Sequence, residues 1–168
     1  MGTIESSTQT GRVTVSLLGL VVIAVYSVAA ALQILVWNPL AAVPGASLEE
    51  IHAGLARGNE SISVAAVVAW SSIGTVLAGV VVLLTATRVV SRMRIVVILD
   101  LLILAMGAPI YFFTSFPAGM ALADAFFISG GDYAPWGGLL CLVSAAALTA
   151  ALLVTIFRRR YGAATARA

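Results

Sequence analysis

The chain has no lysine, one cysteine and one histidine, and charged side chains make up only 10% of its 168 residues. Each scarcity removes a class of function. Cys141 alone cannot close an intrachain disulfide, and His52 alone cannot furnish a multi-histidine metal site. All nine basic residues are arginine, set against seven acids for a formal net charge of +2. They lie beside apolar stretches and form no stripe among polar residues, which argues against a nucleic-acid partner. No glycine-rich phosphate loop, HExxH helix or serine elbow is present, so the sequence offers no enzyme signature and implies no cofactor. Against these absences stands a 61% apolar content, well above the roughly 45–50% of soluble domains.

That content is concentrated in four uninterrupted runs, 13–37, 64–87, 95–116 and 136–157. Each can cross a hydrocarbon core about 30 Å thick, which takes about 20 helical residues. Helix is preferred to strand because the runs are continuous, whereas a barrel strand alternates polarity over about 10 residues. Lipid also forces every backbone N–H and C=O to pair within the segment. The expected fold is all-α, a single four-span transmembrane domain built as a four-helix bundle over 1–168. Span one far exceeds the roughly 7–15-residue apolar core of a signal peptide and reads as an uncleaved helix. The tails, 1–11 and 162–168, are small and polar or alanine-rich and are expected to fray.

Arginine placement orients the bundle. Arg12 precedes span one, Arg88, Arg92 and Arg94 separate spans two and three, and Arg158, Arg159, Arg160 and Arg167 follow span four, while the other two connections contain only Arg57. By the positive-inside rule both termini and the middle connection are cytoplasmic, and 38–63 and 117–135 face out. Arg88, Arg92, Arg94, Arg158, Arg159 and Arg160 are then placed to meet anionic headgroups of the bilayer.

The first outer connection opens with Asn38-Pro39 and Pro44-Gly45, turn signals that end span one near Trp37. Ser47 and Glu50 have capping-box spacing, and Leu48, Ile51 and Leu55 recur at helical intervals, which predicts a short amphipathic helix over 48–57 lying on the outer face. Asn59-Glu60-Ser61 matches a glycosylation sequon, a three-residue pattern common by chance and expected to be unmodified. The connection 117–135 is apolar for a loop. Its Met120, Leu122, Ala123, Phe126, Phe127 and Ile128 predict a second short interfacial helix sealing the outer end, with both phenylalanines packed against the bundle.

Asp100 is the one ionisable residue well inside a span, and such a residue is a functional candidate by default. Its layer is expected to hold Ser16, Thr85 and Thr149 or Thr155, with Arg88 and Arg92 at the rim, giving a structural pairing or, alternatively, a proton or cation pathway. A second polar layer toward the outer face gathers Gln33, Ser71, Ser72, Tyr111 and Thr114, either as interhelical glue or as a small-ligand pocket. Pro109 lacks an N–H, so Gly107-Ala108-Pro109 should kink span three beside that layer. Small residues every fourth position, Gly137, Cys141, Ala145 and Thr149 in span four and Ser71, Thr75 and Gly79 in span two, are the expected packing seams. Trp37, Trp70, Tyr111, Phe112, Phe113, Phe116, Tyr133 and Trp136 form an aromatic belt. Glu49 and His52 have the spacing of a di-iron ligand pair but lack the second copy such a site needs.

The stretches Trp37-Asn38-Pro39-Leu40-Ala41-Ala42-Val43-Pro44-Gly45 and Phe116-Pro117-Ala118-Gly119-Met120-Ala121-Leu122-Ala123-Asp124 resemble those of small four-span integral membrane proteins of high-GC Gram-positive bacteria. The resemblance implies a multi-pass protein of a bacterial plasma membrane and assigns no catalytic or binding residue. Two functions remain open. One is a structural or accessory protein acting through helix contact, as a homo-oligomer or beside a larger membrane complex. The other is a small transporter or ligand-binding protein using Asp100 and the outer polar layer. Topology is testable at once: Ser47→Cys should react with an impermeant maleimide from outside and Ala164→Cys only from the cytoplasm, and the reverse pattern inverts the orientation.

Overall fold

The computed structural model describes residues 8–156 in full and the helical backbone of 2–7 and 157–165; the side chains of Arg158, Arg159 and Arg160, and all of Arg167, lie outside the described residues. Helix α1 (Gly2–Leu32) runs through a π-helical turn (Gln33–Trp37) into α2 (Asn38–Ala42). After α3 (Leu48–Arg57) and α4 (Val64–Ala86), helices α5 (Met93–Ala105) and α6 (Gly107–Phe126) make the third span and α7 (Trp136–Thr165) the fourth. Four helical segments are long and apolar enough to cross a membrane: Thr8–Ala42, Val64–Ala86, Met93–Phe126 and Trp136–Ile156. The all-helical four-span architecture follows.

Spans one and three are longer than a bilayer requires. Their 35 and 34 residues rise about 50 Å at 1.5 Å per residue, against a core of about 30 Å. The surplus corrects two sequence expectations, since span one does not stop at Trp37 nor span three at Phe116. Asn38-Pro39 continues a helix, with proline at the start of α2 where its missing N–H is tolerated. Pro117 sits inside α6 and is exposed. Beyond it Ala121 and Leu122 are buried with Ala42 of α2 and Ile51 and Leu55 of α3. That burial outweighs the proline stop signal, so the apolar loop is the upper part of a spanning helix, roofed by α3 into a cap. Pro44-Gly45 is the real terminator, with Gly45 at φ +87°.

Phe126 packs beneath Gly54 of α3, where a Cβ would overlap its ring. Phe127 does not join it, contrary to expectation. The chain turns left-handed at Phe127 (φ 56°) to end α6, which points successive side chains apart and leaves this ring 96% exposed.

Below the cap, α1, α4 and the third span pack against one another, and α7 rests mainly on the third span. The seams differ from the expected small-residue stripes. Among the described residues of α7 the buried positions are Gly137, Leu140, Ser144, Ala147 and Ala151, while Cys141, Ala145 and Thr149 are exposed. In α4 they are Val67, Ala78, Val81 and Thr85; Ser71 and Thr75 are only part-buried, and nothing packs over Gly79. Steps of four residues advance about 400° around a helix, so an every-fourth stripe drifts about 40° per step off a fixed face. Alternating steps of three and four stay on it.

At the arginine-rich end, Gln9 Nε2 donates to the Ala86 carbonyl (3.2 Å) and the Arg12 guanidinium to that of Ser91. These bonds tie α1 to the end of α4 and to the connection before α5, and its helix starts at Gly2 where fraying was expected through residue 11. Arg94 turns onto the carbonyl of Val154 in α7 (2.6 Å), whereas Arg88 and Arg92 remain exposed toward the surroundings.

Helix α3 begins with the expected capping box. The Glu50 N–H donates to Ser47 Oγ (3.3 Å) and the Ser47 N–H to Glu50 Oε2 (2.7 Å). Hydrogen bonds from the Ser47 backbone and then its hydroxyl hold the Glu50 carboxyl below its ordinary value of 4.5. The charged form is thus favoured by folding: its stabilisation is complete above that ordinary value and is lost as pH falls through the lower folded one. Amide exchange in α3, corrected for intrinsic rates, should rise over that acid window in the wild type and not in Glu50→Gln, whose amide oxygen keeps the cap without titrating. Equal acid sensitivity in both would refute the assignment.

Candidate functional site

Two polar networks and one unpaired acid occupy the span interiors, and each network is built at a local departure of the backbone. The first begins at Pro39. With no N–H it cannot answer the Leu35 carbonyl of a regular helix, and the chain widens just before it, so that the Asn38 N–H reaches back five residues to the Gln33 carbonyl. The π-turn leaves the Gln33 and Asn38 side chains buried against the 129–135 connection. Asn38 Oδ1 accepts from the N–H groups of Tyr133 (2.6 Å) and Ala134 (3.4 Å), and Asn38 Nδ2 donates to the Gly131 carbonyl (3.5 Å). Gln33 Nε2 donates to the Ala134 carbonyl (3.3 Å), while its Oε1 is buried without a partner. Opposite them the Tyr111 hydroxyl bonds Asp132 (2.8 Å). A Cβ at Gly137 would overlap both Asp132 and Tyr111, so only glycine lets α7 start so close. Trp37 and Trp136 meet beside this junction with ring centroids 5.7 Å apart.

The second network crosses the bundle middle. Span three is interrupted at Met106, between α5 and α6, and Pro109 stands in the first turn after the interruption. Ser144 Oγ of α7 donates to the Leu104 carbonyl beside the break (2.9 Å) and meets the Tyr26 hydroxyl of α1 (3.0 Å). Gly107 lies against the Tyr26 ring, with no room for a Cβ. Ser27 and Thr75 join α1 to α4 at 3.1 Å. Between the two networks lies a cavity of about 30 Å³ edged by Tyr26, Ser27, Ser71, Tyr111 and Thr114. That is room for a water molecule or two, and not for an organic substrate.

Asp100 stands apart from both. It is buried, its Oδ1 has no hydrogen-bond partner, and its carboxylate presses on Gly19 of α1, where a Cβ would overlap it. The expected partners bond elsewhere. Ser16 donates to the Val13 carbonyl (3.0 Å), Thr85 to that of Val81 (2.8 Å), Thr149 to that of Ala145 (2.9 Å) and Thr155 to that of Ala151, and Arg88 and Arg92 are exposed. A hydroxyl in a helix readily satisfies itself on its own preceding turn, which defeats partner assignment by depth alone. Asp100 lines an open groove of about 240 Å³ between α1 and α5. Ile23 and Leu104 border both this groove and the central cavity and stand between them.

Of the expected outer layer, the fold brings Gln33 and Tyr111 together at the junction and places Ser71 and Thr114 on the cavity. Ser72 is exposed and bonds the Ala69 carbonyl of its own helix (3.0 Å), outside the layer. Asn38, Asp132, Tyr26 and Ser144 carry the networks without having been singled out. The signal for Asn38 was an amide at the end of an apolar run, read as a turn because proline follows it. Glu49 and His52 are exposed on α3, and among the described residues no three His, Cys, Asp or Glu side chains gather as a metal site. No family model, curated protein or solved structure matches the chain.

The junction's strength can be measured. Asn38→Leu strands two backbone N–H groups and should lower unfolding stability in micelles by about 1–3 kcal/mol, with new protease cleavage in 129–133. Tyr111→Phe should cost less, because Asp132 is exposed and stays hydrated. Equal and negligible losses would show that the junction does not hold the fold.

Proposed function

We propose that the protein is a structural or accessory protein of the bacterial plasma membrane, working through helix contact within the bilayer, with itself or with a larger membrane complex. In this reading both termini and the arginine-rich end are cytoplasmic, the cap is outside, and Arg88 and Arg92 meet anionic headgroups. The observation that carries it is the position of Asp100. An acid this deep in a span is costly when unpaired, it has no donor among the described residues, and it borders the groove between α1 and α5 rather than the central cavity. Its Oδ1 is enclosed by the chain, and Oδ2, beside Gly19, is the oxygen left open on the groove side, which supports a protein completed by contact. The small central cavity agrees, since it holds only a water or two.

The hydroxyl-edged cavity favours a second reading, a small transporter or ligand-binding protein in which Ile23 and Leu104 part to join the cavity to Asp100. The two readings separate experimentally. Protein extracted with its lipids in polymer nanodiscs should give particles holding more than one polypeptide, and reconstituted Asp100→Asn should leave proton and cation leak unchanged. Particles of one chain overturn the proposal. Flux that disappears in Asp100→Asn at unchanged thermal stability moves the assignment to transport.

A further inference from the structure

We infer that the groove between α1 and α5 receives α7 of a second copy of this chain, with Thr149 of the incoming helix set against Asp100. The inference rests on the accessory reading and names the partner. The groove is apolar, walled by Val15, Leu18, Val22, Val97 and Leu101, with the Asp100 carboxyl in it above Gly19. Asp100 is 9% exposed; its Oδ1 is enclosed by the chain, and Oδ2, beside Gly19, is the oxygen an occupant of the groove can reach. An occupant of this groove must be an apolar body with one hydrogen-bonding group at the depth of that acid.

Helix α7 has such a face. Its inner seam is taken up by span three, and its exposed side carries Cys141, Ala145 and Thr149 together with Leu148 and Leu152, an apolar ridge with one hydroxyl. The depth of Thr149 follows from two bonds inside one chain. Ser144 bonds the Leu104 carbonyl and Arg94 bonds the Val154 carbonyl. With α5 and α7 antiparallel, both place Asp100 level with residue 148 of α7, within one residue of Thr149. Copies in one membrane share an orientation, so this level holds between molecules. The chemistry is complementary in either protonation state. Thr149 Oγ1 already donates to the Ala145 carbonyl (2.9 Å) and keeps lone pairs to accept from a protonated Asp100; toward an ionised carboxylate the hydroxyl turns to donate. Because the groove and the α7 face are different surfaces, the contact is head-to-tail and extends into a ring or row instead of closing as a two-fold dimer.

The test is disulfide trapping in native membranes. Gly19 contacts Asp100, so Val22, three residues further along α1, is level with Ala145, and both are exposed. In a Cys141→Ser background, Val22→Cys with Ala145→Cys should oxidise to a ladder of dimers, trimers and higher species. Leu83→Cys on the exposed face of α4 with Ala145→Cys should not. Adding Asp100→Leu should lower the yield about threefold, the value of a typical interhelical hydrogen bond, and Asp100→Asn should preserve it. No ladder from particles that contain several chains overturns this contact and leaves the accessory reading standing; single-chain particles overturn both. Tetraphenylphosphonium binding that depends on Asp100, without a ladder, assigns the groove to a lipophilic cation and overturns the inference.

Discussion

A backbone group that loses its partner in an apolar medium must find another, and this requirement organises the molecule. Lipid offers no hydrogen bonds, so each interruption of the helical ladder has to be answered by protein. Among the described residues two such interruptions inside the spans are answered by polar side chains, and a third, at Pro117 in α6, lies on the exposed surface. At Pro39 the answer is a π-turn, which leaves Gln33 and Asn38 buried where they bond the exposed-end backbone of residues 131–134. At Met106 it is Ser144, bonded to the Leu104 carbonyl and steadied by Tyr26. Two of the long-range polar networks thus sit where the ladder fails, and Gly107 and Gly137 leave room beside them.

This explains which parts of the fold were legible in the sequence. The four spans were, because continuous hydrophobicity over about 20 residues is a property of composition that lipid enforces. The capping box was, because Ser47 and Glu50 interact only with each other and the intervening turn. The ends of spans one and three were not. Proline and Asn-Pro are local stop signals, and here they are overridden by burial among residues far apart in sequence, Ala42, Ile51, Leu55 and Leu122. The α7 seam was misread for a geometric reason, since small residues every fourth position wind off the face that touches span three.

Asp100 was legible as a residue and not as a contact. Depth along the axis predicted which hydroxyls share its layer, but not that each would turn to its own preceding carbonyl. In water that ambiguity costs little, because solvent supplies whatever the protein does not. In a bilayer it decides the outcome: the acid either stays neutral and unpaired or is met by something outside the chain. Its close seat on Gly19 shows that the site is shaped for the carboxyl, since any larger residue at position 19 would displace it.

The two ends of the molecule are therefore unequal in what they leave unfinished. At the cap end the junction answers most of its donors and acceptors internally, and the roof of α3 covers the surplus of spans one and three. Toward the arginine-rich end the spans are held by Gln9, Arg12 and Arg94 on backbone carbonyls, while one buried acid and the outward face of α7, at the same depth, have no partner among the described residues. An apolar groove alone is satisfied by lipid tails, and the outward face of α7 alone is too. A carboxyl in that groove is not, because no acyl chain carries a donor. On the reading proposed above, the hydrogen-bonding demand of Asp100 turns an ordinary lipid-facing surface into one that selects a protein helix.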